Sequence, residues 1–527
     1  MIGQEIKMSK REKISDRLTA VGCGVVCVTG SLIFLFLSWY AFRYTQYIPP
    51  NAPELPVEVR DSASQNLLGF LFLLAVTAAG MAAERKLSAR RRNLIARGML
   101  LMMLAWLTFA GFWWIYSAER VPAADQLYIC VDACNFMEGQ FDSLRPGYYC
   151  DRYPQQLGMI AVLELVFSVA GTYNYFAFEV INVLAVSCIA YLGYRIVREI
   201  TEDMTPVLIY CLTMMGCLPL VFYTSWVYGE ILSILFTMLA ALFLLRYGNK
   251  GKWGYLAGSV VSLSLAVTVR KNCLILAIAF FLVALLAAIR RKDRRLLVFA
   301  VCALLIPNLV VSGVRKTYEL RSGISVSKGL PASSWIYVGL QETDGRYGWY
   351  YIAETDPYGE SGYDTEESDR IYRQAIRDRL TTFWEQPSYA FSFLKQKQLS
   401  QWNEPLYQGY YFSQNYAEES PPAEDSLIYR LSQTACFTWV LRICDRLQFV
   451  LYMGMLFFFL FAVRKEGNLL SFVLPVMITG GFLFSMIWEA KARYIFPYYV
   501  AMFPMAAVGY QQLLLWLRGR WENRKSR

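Results

Sequence analysis

The sequence predicts an all-α polytopic membrane protein, a bundle of about 12 transmembrane helices with helical loops outside the cytoplasm. Three observations predict it. Only 17% of the 527 residues are Asp, Glu, Lys or Arg, against 56% from the apolar and aromatic set, whereas a soluble chain carries about 25% charge. Uncharged runs near the length that crosses hydrocarbon as a helix recur through most of the chain, as at 100–117, 272–289 and 296–314. The third observation is where the positive residues lie, because Lys and Arg collect on cytoplasmic segments.

Taken in order, apolar spans are expected at 22–43, 67–83, 98–117, 175–195, 205–222, 231–245, 254–269, 272–289, 295–314, 447–463, 468–487 and 495–517. The segment 156–170 is too short for a full crossing and carries Glu164. With that segment lying re-entrant or interfacial on the outer face and the N-terminus inside, 28 of the 51 Lys and Arg fall on cytoplasmic segments. The short outer segments then hold 9 and the long loop 315–446 holds 14. If 156–170 crossed, the basic run 290–295 and the basic C-terminus would both face outward, against the rule. The basic N-terminus, with Lys7, Lys10, Arg11, Lys13 and Arg17, precedes a full-length span with no A-x-A-like site, so it reads as an anchor rather than a cleaved signal.

Four parts follow. A two-span segment covers 1–95, and a transmembrane core, 96–314, carries the first outer loop 118–155. The long outer loop 315–446 has helical periodicity over 369–384 and again between Pro387 and the WNEP at 402–405. A three-span segment with a basic cytoplasmic tail, 447–527, closes the chain. Most of the 12 cysteines lie in apolar runs and read as small buried hydrophobes. Cys130, Cys134 and Cys150 share one polar loop, where a bridge is open but not specified by spacing.

The chain has no histidine. Ser-His-Asp, Cys-His and His-metal sites are therefore excluded, and any acid–base chemistry falls to carboxylates. There is no Gly-rich phosphate loop, no paired CxxC, no internal repeat and no nucleic-acid signature. In the orientation above, the charges that make poor stop-transfer signals all lie on the outer side, and charge at membrane depth is costly and usually functional. After Pro122 a short helix is expected to begin near Ala124, with Asp125 in its first turn and Tyr128 and Asp132 on the same stripe. Capping and dipole complementarity explain a carboxylate there; proton abstraction or a divalent cation (Mg or Mn) at Asp125 is the functional alternative. Arg270 and Lys271 interrupt an apolar stretch, either snorkelling to headgroups or gripping a lipid phosphate. Glu489 and Arg493 stand at i and i+4 around Lys491, a local ion pair or part of a site. Glu230 opens a span on the same side.

The combination resembles the GT-C superfamily of integral-membrane glycosyltransferases. The carrying motifs are PAADQ at 122–126, FMEGQ at 136–140, RYPQQLG at 152–158, QWNEP at 401–405 and WEAKARYIFPYY at 488–499. The likeness covers roughly 95–520 and is nearest to the bacterial family-39 branch, similar to dolichyl-phosphate-mannose–protein mannosyltransferases and lipid A aminoarabinose transferases. The resemblance implies an inverting hexosyl- or pentosyltransferase of the plasma membrane with its site on the extracytoplasmic side. It implies a polyprenyl-phosphate-sugar donor and a cell-envelope glycan, lipid or protein acceptor. By the same resemblance Asp125 is the catalytic candidate, Arg270, Lys271, Lys491 and Arg493 hold the donor phosphate, and Tyr153, Gln155, Gln156, Glu230, Trp402 and Glu489 contact substrate. Many relatives carry two adjacent acidic residues where this chain has Asp125 and Gln126, so a second carboxylate would come from Asp132 or Glu138. A transporter of lipid-linked sugars and a non-enzymatic scaffold for envelope assembly are the competing readings.

Overall fold

A computed structural model of the chain describes residues 10–49, 54–118, 121–350, 356–413, 430–431, 435–461 and 469–525. Lys7, Arg120, Arg464, Lys465 and Arg527, all among the Lys and Arg counted toward the orientation, and the ends of the spans expected at 447–463 and 468–487 lie outside the described residues.

In chain order, α1 (Lys10–Ala41) and α2 (Ala63–Lys86) are joined by a hairpin of two short antiparallel strands, β1 (Tyr44–Tyr47) and β2 (Val57–Arg60), with Tyr44 opposite Arg60. Next, α3 (Ala89–Ser117) leads to the amphipathic α4 (Asp125–Met137) and, after a 99° bend near Pro154, to α5 (Leu157–Ala170). Then come α6 (Tyr175–Ile200) and the pair α7 (Met204–Met215) and α8 (Leu218–Phe222). That pair bends by 52° where Gly216 ends one helix and Pro219 opens the other. The core continues through α9 (Glu230–Lys250), α10 (Gly254–Val269), α11 (Leu274–Arg291) and α12 (Arg294–Ser322).

The long loop 315–446 holds α13 (Ala332–Leu340), α14 (Thr365–Glu385) and α15 (Pro387–Trp402), the last two where the periodicity placed them. Pro387 occupies the first helical position of α15, where its missing N–H costs nothing. Their expected apolar face is only partly covered: Ile371 and Leu380 are exposed, as are Trp384 and Phe391. Finally α16 (Ala435–Phe461), α17 (Val473–Ser485) and α18 (Ala492–Lys525) return to the bundle.

Among the described residues, nine helices are long and apolar enough to cross a membrane. The other three expected spans correspond to the bent α7–α8 pair and to the shorter helices α10 and α17. Backbone groups in hydrocarbon must be paired internally, which is why the uncharged runs resolve as helices. The expected short segment is α5. Its Glu164 is bound by Arg321 at 2.8 and 3.0 Å and by the Tyr318 hydroxyl at 2.9 Å, tying α5 to the end of α12. Gly158 lets α5 touch α10, since a Cβ there would stand 1.9 Å from the Thr268 carbonyl oxygen.

The N-terminal spans pack into the body instead of standing apart: α1 lies on α16 and α17, and α2 on α7. Asn403 of the QWNEP motif is bonded to β1 twice. It donates to the Tyr44 carbonyl at 2.5 Å and accepts from the Gln46 N–H at 2.9 Å. Cys130, Cys134 and Cys150 are all free and buried, so the structure forms no bridge among them.

Candidate active site

The loop connections at one end of the bundle converge. Gly229 makes this possible for α9: a Cβ there would lie 2.4 Å from the Val269 carbonyl oxygen, so the start of α9 presses on the end of α10. That contact brings Glu230, fully buried, to 3.0 Å from Arg270. Trp226 donates its indole N–H to the other Glu230 oxygen at 2.8 Å. The pair is close, yet Glu230 Oε1 and Arg270 Nη1 lack the angles of a hydrogen bond and have no other partner.

Asp125 opens α4, and Arg493 in the first turn of α18 reaches it at 3.4 Å. The two residues are 368 positions apart. Gln126 holds the start of α4 in place by accepting the Val227 N–H at 2.8 Å. Arg493 lies over the rings of Tyr228, Phe412 and Tyr494, and its Nε is buried with no hydrogen-bond partner. Arg270 also lies against the Tyr494 ring at 5.4 Å, the same distance as Arg493, so one ring contacts both guanidinium groups. Beside them Glu489 accepts from the Tyr494 hydroxyl at 2.9 Å. Burial raises the Glu489 carboxyl, opposed by Lys491 and Arg493. Lys491 is buried in an ion pair with Glu54 and faces the Trp349 ring.

The remaining expected residues divide. Tyr153 lies within electrostatic reach of Asp125, Tyr350 and Glu489. Gln156 donates to the Tyr228 hydroxyl, and Gln155 is half-buried on the same turn. Lys271 is exposed and its electrostatic neighbour is Arg315, so no contact brings it to the Arg270–Arg493 group.

Trp402 does not reach the site. It is fully buried, bonded to Ser485 at 2.9 Å and packed on Phe482 and Tyr498, with no ring face left for a sugar. Asp132 lies two turns from Asp125, about 10 Å along the helix axis. It accepts from Ser143 at 2.7 Å and from the Cys150 thiol at 3.2 Å, and burial raises its carboxyl. These contacts make it a local anchor for the 142–150 turn. Glu138 caps the far end of α4 and is exposed.

The donor set at Asp125 does not fit a divalent cation. Its direct partner is a guanidinium, Gln126 is turned to a backbone N–H, and the next carboxylates belong to other contacts. Among the described residues no three His, Cys, Asp or Glu stand together as metal ligands.

Sequence reasoning missed Glu54, Gln408 and Lys397. Gln408 donates to Glu54 and accepts the Arg493 N–H at 3.0 Å. Lys397, fully buried, donates to the carbonyls of Gly339 and Met486, and burial pushes its ammonium down to about 7. A lysine in an otherwise helical, half-apolar segment carries no motif. Only its position opposite the 486–491 turn gives it meaning.

Residues 157–312 match the family model described as dolichyl-phosphate-mannose-protein mannosyltransferase. Over that segment, α5 to most of α12, the chain is similar to those mannosyltransferases. The expected resemblance is borne out there, on a stretch that includes Glu230, Arg270 and Lys271 but stops short of Asp125 and Arg493. The mannosyltransferase-like segment thus supplies one half of the charged cluster. No curated protein matches the sequence. Among solved structures, the archaeal oligosaccharyltransferase AglB from Archaeoglobus fulgidus, in complex with an inhibitory peptide and a dolichol-phosphate, aligns at 13% identity with a TM-score of 0.37. The alignment covers 80% of this chain and 52% of that one, so this chain spans about half its length.

Proposed function

We propose that the protein is a membrane glycosyltransferase that moves a sugar from a polyprenyl-phosphate-linked donor to a hydroxyl of an extracytoplasmic acceptor. The observation that carries this reading is the Asp125–Arg493 contact beside the Arg270–Glu230 pair. It places a half-exposed carboxylate next to two buried guanidinium groups, each with a nitrogen lacking a hydrogen-bond partner. The matched family is named for a lipid-phosphate-linked mannose donor, which supports the donor class. The donor sugar and the acceptor are not specified by the site.

The chemistry follows from those groups. The acceptor oxygen attacks the anomeric carbon, the bond from that carbon to the phosphate oxygen breaks, and the electron pair leaves on polyprenyl phosphate. The acceptor proton passes to Asp125, the carboxylate at the mouth of the cluster. Arg493 and Arg270 take up the charge that grows on the leaving phosphate; a planar guanidinium matches phosphate oxygens in pairs. When the phosphate engages Arg493, Asp125 is released from its ion partner and is free to accept the acceptor proton. Tyr228, Tyr494 and Phe412 wall the cluster and limit water, which would compete as acceptor. Orientation by the positive-inside rule puts this end outside the cytoplasm and both termini inside.

A transporter would gather polar groups at mid-membrane between paired halves. Here the charged cluster lies at one end, and nothing in the fold favours transport.

The direct test is sugar transfer from a polyprenyl-phosphate-sugar in membranes carrying Asp125→Asn. Transfer is expected to disappear while the amount of inserted protein is unchanged. Transfer at the unaltered rate would reject Asp125 as the base.

A further inference from the structure

Resting on the reading above, we propose that Glu54, on the loop between α1 and α2, is a positioning residue for the cationic turn 489–493. The N-terminal two-span segment is then part of the transfer site and not an appendage to it.

Glu54 is bidentate. One carboxylate oxygen takes the Lys491 ammonium and the other takes the Gln408 side-chain amide. Gln408 passes the constraint on, because its own carbonyl oxygen accepts the Arg493 N–H at 3.0 Å. The Gln408 backbone is strained: Tyr407 and Gln408 have φ of 49° and 60°, successive left-handed residues that are not glycine. Glu404, fully buried, holds that strain by accepting the N–H groups of Leu406, at 3.1 Å, and Gln408, at 2.6 Å. A carboxylate on the first loop thus grips two separate turns, 404–408 and 489–493, that come together nowhere in sequence. Strain of this kind persists only where its surroundings over-determine it, and it clusters at functional sites.

The physical consequence concerns Lys491. With Glu54 neutralised, the buried Lys491 ammonium loses its direct carboxylate partner and keeps only the more distant pull of Glu489. It would move toward water, and the adjoining Arg493 N–H would lose the Gln408 acceptor that fixes it. The donor-binding cations would remain present but no longer be held in register with Asp125.

The test uses the full chain in nanodiscs, with a polyprenyl phosphate as binding probe and sugar transfer measured in parallel. Glu54→Gln is expected to weaken probe binding and raise donor KM by about tenfold, with a smaller fall in kcat from the lost register with Asp125. Glu54→Asp should recover part of the loss. In a Lys491→Ala background Glu54→Gln should add less than it costs alone, since one of the two partners it positions is gone and only the Gln408 arm remains. Unaltered binding and KM in Glu54→Gln, or fully additive losses in the double variant, would overturn the proposal. Wild-type protein that neither binds the probe nor transfers sugar would instead overturn the functional reading, and this inference with it. A folded Glu54→Gln protein that loses kcat alone would also count against it, because the proposed role is to hold the donor phosphate.

Discussion

The two ends of the helix bundle carry ionic groups in different states. At the end away from Asp125, carboxylates are spent on the fold. Glu84 accepts from the N–H and hydroxyl groups at the start of α7, at 2.6 Å from Met204 and 2.8 Å from Thr205. Glu199 joins Arg246 at 3.1 Å and Asn249 at 3.0 Å, and Asp203 takes Gln511 at 2.8 Å. At the Asp125 end Glu230 and Arg270 are more deeply buried, and they face each other at 3.0 Å as an ion pair without a hydrogen bond between the facing atoms. Among the described residues, the buried charged atoms with no hydrogen-bond partner are Glu230 Oε1, Arg270 Nη1 and Arg493 Nε, all at this end. Buried polar groups are rarely left this way without a reason. The difference separates charges hydrogen-bonded into the fold from charges that keep atoms without such a bond.

That comparison can be broken most sharply at Arg493. Arg493→Ala is expected to lower transfer about a hundredfold or more, the scale of losing a preorganised anion-stabilising donor. Glu199→Gln at the other end should leave transfer near the wild-type rate. Equal losses in the two variants, measured on equal amounts of inserted protein, would erase the distinction.

The next effect is on stability. Glu230→Ala strands Arg270 in a buried setting, and removal of one partner from such a pair costs about 3–5 kcal/mol. Replacing Glu230 and Arg270 together with Met should restore most of that stability but not transfer. Thermal unfolding in detergent, read beside activity, checks both halves.

A smaller effect comes from pH. Thr45 Oγ1 lies 2.7 Å from Asp61 and 2.7 Å from Asp445. A hydroxyl donates one proton, so one of the two carboxyls keeps its own. Burial raises the Asp61 carboxyl from 3.8 to about 6, against the opposing pull of Thr45 and Arg446. An acid whose folded value is raised binds more protons folded than unfolded, so stability falls as pH rises through that window. The melting temperature is expected to drop as pH passes from the ordinary carboxylate range to about 6, and Asp61→Asn should flatten that slope. A slope that survives the substitution would assign it elsewhere. Sidedness is checked without any activity: single cysteines at Lys250 and Glu385, both exposed, should label from opposite faces of the membrane.

The fold was legible because hydropathy is a local property. Each apolar run had to become a helix whatever its neighbours were, and Glu164 correctly marked α5 as different. Part of the site was legible for a related reason: Asp125, Glu230, Arg270 and Arg493 are charges where the membrane makes charge expensive. Helical spacing also put Asp132 on the stripe of Asp125, but periodicity says which residues share a face and not what that face meets. Trp402 failed likewise, since an aromatic beside a polar motif reads the same whether it stacks on a sugar or on Tyr498. Glu54, Gln408 and Lys397 gave no local signal. Their roles come from loops distant in sequence meeting at one end of the bundle, and no single stretch records that meeting.

The most direct measurement is an experimental structure of the full chain in nanodiscs with a bound polyprenyl phosphate. The phosphate is expected between Arg493 Nε and Arg270 Nη1, with Asp125 facing the side from which an acceptor would approach. A phosphate seated at the opposite end, near Arg246 or Arg92, or one that leaves both guanidinium groups untouched, would contradict the account.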